Sequence, residues 1–363
     1  MIIGVPKEVK TEEYRVGAPP MAVGALIKAG HQVLVQTTAG DGSGFTDAEY
    51  MEAGATVVET PEELYDRAEM IYQVKEPIPS EYPLLKKDQI HFRYLHLAAE
   101  EKLTHVLMDK GVVAIAFETV ELPDGSLPLL SPMSEVAGVL ATQIAACYLW
   151  RTRQGCGKLL GGVTGVLPAK VVILGAGIVG TSAAKIALGL GAHVVIIDKD
   201  IGRLSYLNGV LQGRFETLAS NQYNIASAVK KVDVVIGAVL VKGGRAPILV
   251  TRDMVKTMEP GSVIVDVAVD QGGCIETTHP TTHSDPVYIV DGVIHYCVTN
   301  MPGIVPQTST IALSNATLPY ALKLANLGYR EAMRSDDALR KGLNVFEGKV
   351  TNKFVAESLN LEN

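Results

Sequence analysis

The sequence predicts an α/β fold with two doubly wound parallel sheets, each in its own domain. In the first third of the chain, short apolar runs such as "HQVLVQTT" alternate with amphipathic stretches such as "PPMAVGALIKAG", which is the β-α-β rhythm of a parallel sheet. A second series of this kind runs from "KVVILGA" to "SVIVDVAVD". Long helical stretches, "SEVAGVLATQIAACYLW" and "TIALSNATLPYALKLANLG", flank the second series. Because the chain passes twice between the two series, the first domain should be discontinuous.

The elements of the first series have recognisable ends. Prolines start the first helix and a glycine ends it. Thr46 is the expected N-cap of the helix "TDAEYMEAGA", because its hydroxyl can accept a free main-chain N–H. The predicted strands are "MIIGVP", "HQVLVQTT", "TVVET", "MIYQVKEP", "IHFRYLHLA" and "VVAIAFE".

The second series and the two connecting helices set the expected domain limits. The predicted strands here are "KVVILGA", "AHVVIID", "DVVIGAV" and "SVIVDVAVD". We expect a first domain of residues 1–128 plus 306–363 and a second of residues 129–305. The long connector helices should join the two domains around a cleft, and the chain beyond the second connector should be helical.

Composition excludes several classes of function. The chain has 363 residues, a formal net charge of -7, 20% charged residues and 47% hydrophobic residues, so it offers no basic field for nucleic acid or anionic lipid. No apolar run is long enough for a membrane span, and the first residues resemble no targeting peptide. The four cysteines form no CxxC pair and do not cluster with histidines. We therefore expect a cytoplasmic protein without a metal site.

The stretch "KVVILGAGIVGTSAAKIALGLGAHVVIIDKD" carries a dinucleotide-binding fingerprint. Gly175, Gly177 and Gly180 follow a predicted strand and open a helix, and Asp198 stands 18 residues after the last of these glycines. Gly175 permits the tight turn, Gly177 lets a pyrophosphate approach the backbone, and Gly180 lets the helix pack on the strand. The free amides of the helix start can hold the phosphates. The alternative is a glycine turn in a Rossmann-like core that binds no ligand.

The acid at the end of the second strand favours NAD over NADP. A carboxylate at Asp198 can accept hydrogen bonds from the adenosine ribose hydroxyls and repels a 2′-phosphate. Lys199 and Arg203 stand close by in the sequence and could weaken the discrimination against NADP.

Polar residues recur where apolar strands end. Arg15, Lys75 and His96 follow or end strands of the first series, and Asp270 ends a strand of the second. In open α/β sheets, ligands bind beyond the carboxyl ends of the strands, so these four are candidates for one site. Each also has an ordinary structural interpretation, as a solvated charge, a turn residue or a buried histidine with satisfied hydrogen bonds.

Several long motifs make the sequence resemble the alanine dehydrogenases over essentially its whole length. The stretches that carry the resemblance are "GVPKEVKTEEYRV", "GSGFTDAEY", "VKEP", "YLHLA", "LLSPMSEVAG", "GGVTGVLPAKVVILGAGIVG", "VDQGGCIETTHPTTHSDP" and "HYCVTNMPGIVP". The resemblance implies two Rossmann-like domains, usually in a hexamer. It also implies reversible NAD-dependent conversion of L-alanine to pyruvate and ammonium.

The resemblance also implies roles for individual residues. Arg15 and Lys75 would bind the substrate carboxylate and carbonyl oxygen, while His96 and Asp270 would handle protons as water attacks an iminium carbon. A histidine suits this task because its unperturbed pKa lies near neutrality. Residues that would line the nicotinamide and adenosine sides of the cofactor are Met133, Ser134, Met301, Asp198, Arg203 and Ser220. Asn300 would contact the substrate or the nicotinamide.

The stretch "HFRYLHLAAE" predicts opposite directions for two of its polar side chains. In a continuous strand, Phe92, Tyr94 and His96 share one face, and Arg93 lies on the other face. We therefore expect Arg93 to point away from His96, towards a helix or a neighbouring subunit. The chain also departs from the usual family pattern, at residues 17–20, His91, Arg93 and Gln307.

Three other functions remain open from the sequence alone. One is the nucleotide-binding subunit of a transhydrogenase, which would bind a nucleotide without amino-acid chemistry. Another is a related opine- or lysine-type dehydrogenase with a larger substrate. The third is a non-enzymatic NAD-binding protein. The presence of Lys75, His96 and Asp270 together argues for the amino-acid dehydrogenase.

Overall fold

Two compact units make up the protein in a computed structural model that describes residues 1–240 and 245–361. The first unit comprises Met1–Met133 and Gly303–Asn363, and the second comprises Ser134–Pro302. The limits between the units, at 133/134 and 302/303, lie a few residues away from the predicted domain limits at 128/129 and 305/306. The last two residues of the predicted first domain, 362 and 363, lie outside the described residues.

The first unit is built on an eight-stranded sheet of order β15-β14-β6-β5-β4-β1-β2-β3. The strands from β6 to β3 run parallel, and β14 is antiparallel to both β6 and β15. The central strands are almost wholly buried, as expected for a parallel sheet covered on both faces. The strands are β1 Ile2–Val5, β2 Gln32–Gln36, β3 Thr56–Val58, β4 Met70–Tyr72, β5 Ile90–Arg93, β6 Val113–Ala116, β14 Leu343–Phe346 and β15 Lys349–Val350.

Capping residues mark the ends of several helices in this unit. Thr46 forms the predicted N-cap within a full capping box with Glu49, and Gly111 ends another helix in the left-handed conformation. The longest helix is broken at Gly328, whose φ is 69°. The helices are α1 Pro20–Lys28, α2 Asp47–Glu52, α3 Pro61–Arg67, α4 Glu101–Lys110, α10 Pro306–Ser335, α11 Asp337–Lys341 and α12 Lys353–Leu359.

The second unit has a seven-stranded sheet of order β12-β13-β11-β10-β7-β8-β9, parallel except for the edge strand β12. Its core packs Val, Ile and Leu side chains of the central strands against the surrounding helices. The strands are β7 Lys170–Leu174, β8 His193–Asp198, β9 Phe215–Ala219, β10 Val234–Gly237, β11 Val263–Asp266, β12 Val287–Val290 and β13 Val293–Tyr296. The helices are α5 Ser131–Tyr148, which begins in the first unit, α6 Ile178–Gly189, α7 Ile201–Val210, α8 Gln222–Val229 and α9 Arg252–Val255.

The predicted fold class of two Rossmann-like, doubly wound units is confirmed, but the expected all-helical C-terminus is wrong. The strands β14 and β15 form a hairpin that extends the first sheet. The chain turns there through Glu347 and Gly348, with φ of 49° and 74°. Such paired positive values are typical of tight hairpin turns. The hairpin strands are too short for their alternation to have predicted them.

The strand that contains "HFRYLHLA" is shorter than predicted. It ends at Arg93, and His96 follows in the left-handed conformation with φ of 52°. The two-residue alternation therefore does not extend to His96, and that part of the prediction is wrong. Phe92 and Tyr94 still share a face, because both rings pack edge-on against Phe117. Within the described residues, no helix is both long and apolar enough to cross a membrane.

Candidate active site

Lys75 lies just beyond the carboxyl end of β4, among other polar side chains that follow the strands of this sheet. The side chain is half-buried. Burial and the neighbouring Arg15 guanidinium lower the pKa of Lys75. Among the described residues, no hydrogen-bond acceptor contacts its Nζ atom. A lysine in these surroundings can act as a hydrogen-bond donor and, with its lowered pKa, can also take part in proton transfer.

Arg15 is buried, with only 2% of its surface exposed, and it is paired with a carboxylate. Its Nε donates to Oε1 of Glu13 at 2.7 Å and its Nη2 donates to Oε2 at 2.5 Å. This is the two-bond geometry in which arginine recognises carboxylates. The Nη1 atom lies 3.1 Å from Sδ of Met133. The structure thus gives Arg15 an internal partner that the sequence did not suggest, and it places Met133 against Arg15.

His96 is exposed, and its main chain is held by the half-buried carboxylate of Glu118. Its N–H donates to Oε1 of Glu118 at 2.6 Å, and the same carboxylate accepts the N–H of Leu95. The imidazole stacks on Tyr94 with an interplanar angle of 9°. Glu118 follows the neighbouring strand β6, so its side chain fixes the chain just after β5. The imidazole itself remains accessible for proton exchange.

Glu76 connects these groups electrostatically. It forms an ion pair with Lys10. Burial alone would raise the pKa of Glu76, but the charges of Lys75, His96 and Lys10 together hold it below its usual value. The first unit therefore gathers Arg15, Lys75 and His96 in one strongly charged region at the carboxyl ends of its strands.

Two departures from the family pattern have structural explanations. A Cβ atom on Gly17 would lie 2.3 Å from the carbonyl oxygen of Tyr72, so the chain after Arg15 can lie directly on the end of β4. His91 is fully buried and its Nε2 lies 3.2 Å from Oε1 of Gln89. Burial and Arg93 lower the pKa of His91, so it is a neutral core residue. Gln307 is exposed in the first turn of α10.

In the second unit, the glycine-rich loop has the shape that a pyrophosphate requires. Gly175 has φ of 105°, and a Cβ atom on Gly180 would lie 1.8 Å from the Gly175 carbonyl oxygen. A Cβ atom on Gly177 would meet no atom within 4 Å. Gly180 is thus required by the packing of α6 on the loop, and Gly175 by its positive φ and its close approach to the carbonyl oxygen of Ala238. At Gly177 the space above the backbone is open, which fits an approaching phosphate.

Asp198 and Arg203 both hold the glycine-rich loop through main-chain contacts. Asp198 accepts the N–H of Ala176 at 2.6 Å and the N–H of Asp200 at 2.8 Å. A carboxylate has lone pairs left after these two bonds, so it can still accept ribose hydroxyls. The guanidinium of Arg203 donates to the Ala176 carbonyl at 2.8 Å. Arg203 therefore braces the loop. Ser220, which was predicted on the adenosine side, donates its N–H to the Asp198 carbonyl at 2.9 Å.

Asp270, Asn300, Met301 and Ser134 lie on short or terminal segments of the second unit. Asp270 is exposed near the end of a 3-10 helix, Val267–Gln271. Asn300 is half-buried with φ of 58°, and Met301 is buried at the start of the 3-10 helix Met301–Ile304. Ser134 is half-buried in the first turn of α5.

The 3-10 helix that carries Asp270 is anchored by Asp266, at the end of β11. The buried carboxylate of Asp266 accepts the N–H groups of Ala268 at 3.1 Å and Cys274 at 3.0 Å, and the hydroxyl of Thr278 at 2.7 Å. These bonds close the loop on both sides of Asp270.

Sequence reasoning missed the carboxylates that hold these functional side chains in place. From the sequence, Glu118 at the end of "VVAIAFE" is interpreted as a structural acid near the cleft. Glu8, Glu13 and Asp266 were not singled out. The signal available in the sequence is position, because Asp266 lies inside a predicted strand and Glu8 stands two residues after one.

Both units of the chain match models of one protein family. The family model described as "Alanine dehydrogenase/PNT, N-terminal domain" matches residues 4–137, and its C-terminal counterpart matches residues 141–353. The chain belongs to the alanine dehydrogenase/PNT family. An "Alanine dehydrogenase 2" of Staphylococcus aureus (strain USA300) is 56% identical over all 363 residues, which cover 97% of that relative.

Solved structures of family members resemble both units. A structure named "L-alanine dehydrogenase" aligns with a TM-score of 0.96 and 56% identity, covering 99% of each chain. A transhydrogenase from Sinorhizobium meliloti aligns with a TM-score of 0.81 and 26% identity, covering 97% of this chain and 99% of that one. The alanine dehydrogenase/PNT family implies a nicotinamide cofactor, and the transhydrogenase is the more distant of the two.

Proposed function

We propose that the protein is an NAD-dependent L-alanine dehydrogenase. The reaction converts L-alanine, NAD and water to pyruvate, ammonium, NADH and a proton, and it is reversible. The observation that carries the proposal is the charged region of the first unit, where Lys75 lies beside Arg15 at a sheet edge. Its support comes from the similarity to an alanine dehydrogenase over the full chain.

Arg15 and Lys75 are proposed to bind the substrate carboxylate and carbonyl oxygen. A guanidinium is a planar group of N–H donors that stays positively charged. Glu13 holds the guanidinium in one orientation and balances its charge, so that a small monocarboxylate meets a preset donor. Lys75 polarises the carbonyl oxygen and stabilises the negative charge that develops on it. Asn300 of the second unit is proposed to contact the substrate as well.

His96 and Asp270 are proposed to handle the protons of the reaction. The substrate ammonium must lose a proton before hydride transfer. Attack of water on the iminium carbon and collapse of the carbinolamine each require another proton transfer. Both side chains are exposed, so each can exchange its proton with solvent between turnovers. A well-placed acid or base contributes about 10²–10⁴-fold to the rate.

The second unit is proposed to bind NAD. The cofactor, when bound, accepts the hydride from the substrate Cα. Gly175, Gly177 and Gly180 shape the loop for its pyrophosphate, and the lone pairs left on Asp198 are available to the ribose hydroxyls. The proposed contacts on the nicotinamide and adenosine sides are those of Ser134, Met301, Arg203 and Ser220.

The preference for NAD over NADP follows from the charge of Asp198. The bonds of Arg203 to the loop carbonyl and to Thr181 direct this cation away from a 2′-phosphate. We further propose a cytoplasmic homo-oligomer, a hexamer by resemblance to the family.

One assay tests the activity and separates it from its alternatives. Purified protein is given NADH with pyruvate and ammonium, and absorbance at the nicotinamide band is followed. We expect oxidation that needs both substrates, falls with longer 2-oxo acids or glyoxylate, and is slower with NADPH. Oxidation that proceeds without ammonium contradicts the proposal. A transhydrogenase-like subunit would give no ammonium-dependent signal, and a larger-substrate dehydrogenase would prefer a longer 2-oxo acid.

A further inference from the structure

On the side that faces β1, the main chain of Lys75 has no hydrogen-bond partner from the regular sheet. The neighbouring strand β1 ends at Val5 and is followed by Pro6, which has no main-chain N–H. On the other side, the ladder with β5 continues as far as the bond from the Tyr94 N–H to the Val74 carbonyl, at 2.9 Å. The main chain at Lys75 therefore needs partners from outside the regular sheet, because buried N–H and C=O groups are costly to leave unpaired.

Two buried polar side chains, Glu8 and Arg93, provide those partners. Oε1 of Glu8 accepts the N–H of Val74 at 2.7 Å and the N–H of Lys75 at 3.3 Å. From the opposite strand, Nε of Arg93 donates to the carbonyl oxygen of Lys75. Glu8 is 8% exposed and Arg93 is fully buried. The peptide groups on both sides of the Lys75 Cα are thus held by side chains that follow or end the two flanking strands.

Arg93 is itself held in place, so it can act as a fixed donor. Its guanidinium approaches the hydroxyl of Tyr65 at 3.4 Å and lies 3.8 Å from Oε2 of Glu81. Tyr65 donates to Glu81 at 2.9 Å. The predicted direction of Arg93, towards a helix, is therefore correct, because Tyr65 belongs to α3. What the prediction missed is the bond back to Lys75.

We propose that Glu8 and Arg93 are positioning residues that clamp the main chain of Lys75 and so fix the origin of its side chain. The effect on catalysis rests on the proposed function, in which Lys75 binds the carbonyl oxygen of the substrate. Neither residue touches the substrate in this scheme. Their effect passes through the backbone, and small displacements of a reacting group cost about 10²-fold in rate when they reach about 1 Å.

The clamp can be separated from an effect of ionisation by two replacements at one position. Glu8→Gln cannot ionise but keeps an oxygen acceptor in the same place. Glu8→Asp keeps a carboxyl group but withdraws the acceptor by one methylene. If geometry matters, we expect Glu8→Asp to raise the KM for pyruvate about 10- to 100-fold, and Glu8→Gln to raise it much less. The opposite order of the two variants overturns the clamp.

Arg93→Met tests the other half of the clamp. We expect the KM for pyruvate to rise about tenfold, with the KM for NADH within about a factor of two of the native value. The matched control is Gln89→Leu. Gln89 is also buried in this sheet, and its Nε2 donates to the carbonyls of Tyr65 and Ala68 at 2.9 and 2.8 Å. It precedes β5, so it lies at the amino end of the strands.

The control distinguishes positioning from general loss of stability. Gln89→Leu should lower the denaturation midpoint while leaving the KM for pyruvate near the native value. An equal rise of this KM in the control, or an equal rise of the KM for NADH in Arg93→Met, contradicts a specific role at Lys75.

Hydrogen exchange tests the clamp without relying on activity or on poorly folded variants. In the native protein, the amides of Val74 and Lys75 should be protected. In Glu8→Asp both should exchange faster, while the Tyr94 amide, which donates to the Val74 carbonyl, should remain protected. Unchanged protection of both amides overturns the clamp. If the native protein shows this protection but no ammonium-dependent activity, the proposed function fails and the clamp stands as a structural feature.

Discussion

The two units place their functional groups by different means. In the first unit, carboxyl side chains hold the backbone next to the functional residues, with the buried Glu8 at Lys75 and the half-buried Glu118 at His96. In the second unit, the glycine-rich loop is shaped mainly by close main-chain approach at Gly175 and Gly180. In the part of the chain that the structure describes, one carboxylate, Asp198, takes a comparable part in that loop.

This difference follows from what each unit is proposed to recognise. A pyrophosphate can be bound by main-chain N–H groups and a helix N-terminus, which need space and direction but no titratable group. A small amino acid that must exchange protons needs charged side chains at exact positions, and these must be oriented by others. We therefore expect substitutions in the first unit to change substrate kinetics and pH dependence. Substitutions in the loop of the second unit should change cofactor affinity alone.

The largest expected effect is that of His96→Ala. Turnover with pyruvate and ammonium should fall about 100-fold or more, because an acid or base group is lost. The main-chain bond to Glu118 does not depend on the imidazole, so the turn should persist. NADH affinity, measured by fluorescence titration, should stay near the native value. His105→Ala, an exposed histidine in α4, is the control and should turn over normally. Native turnover in His96→Ala would refute the acid/base assignment.

Gly177→Ala should give the reverse pattern with a smaller effect. Its new Cβ meets no protein atom within 4 Å, so the midpoint of thermal unfolding should not change. The methyl group would stand where the pyrophosphate is proposed to approach, and the Kd for NADH should rise at least about tenfold, as for one lost charge-assisted hydrogen bond.

A control variant and one contradicting result would check the prediction for Gly177→Ala. Gly209→Ala, at a position in α7 where an added Cβ also meets nothing within 4 Å, should leave NADH affinity unchanged. Native NADH affinity in Gly177→Ala would instead show that the cofactor does not use this loop.

The sequence was most informative where one physical requirement dominates a segment. Central parallel strands must be apolar on both faces, so runs such as "KVVILGA" and "VVAIAFE" predict them directly. The strand Phe215–Ala219 was missed because it lies at the sheet edge and keeps polar, half-exposed residues. The hairpin of β14 and β15 was missed because its strands have only four and two residues.

The site could be predicted only in part, for a different reason. Arg15, Lys75 and His96 stand out because they interrupt or follow apolar segments. Their partners are ordinary carboxylates, and the chain has 39 Asp and Glu residues, so charge alone does not single out Glu8, Glu13 or Glu118. Glu13 is a local partner of Arg15, but the roles of Glu8 and Glu118 depend on which strands are neighbours in the sheet. The order of strands is long-range information that the local sequence pattern does not contain.

A separate effect, on stability rather than on kinetics, concerns the pH dependence at Glu8. Burial and the nearby Glu13 carboxylate raise the pKa of Glu8 to about 8, although Arg93 opposes this and Glu81 adds to it. The folded protein therefore binds this proton more tightly than the unfolded chain, in which a Glu has a pKa of about 4.3. It follows that the contribution of Glu8 to stability is greatest below about pH 4 and declines as the pH rises through about 8.

Glu8→Gln removes this pH dependence because the amide does not titrate. The difference in unfolding free energy, variant minus native protein, should become steadily more positive between pH 5 and pH 9. Urea denaturation of both proteins across this range measures it, with Glu69→Gln as the control. Glu69 is an exposed carboxylate that also accepts a main-chain N–H, from Ile2 at 2.6 Å. A constant difference for Glu8→Gln would mean that its carboxyl does not change protonation over this range. In that case the bonds of Glu8 to the main chain of Lys75 would not make the stability of the first unit depend on pH. The first unit would then differ from the second only in the kind of group that holds its backbone.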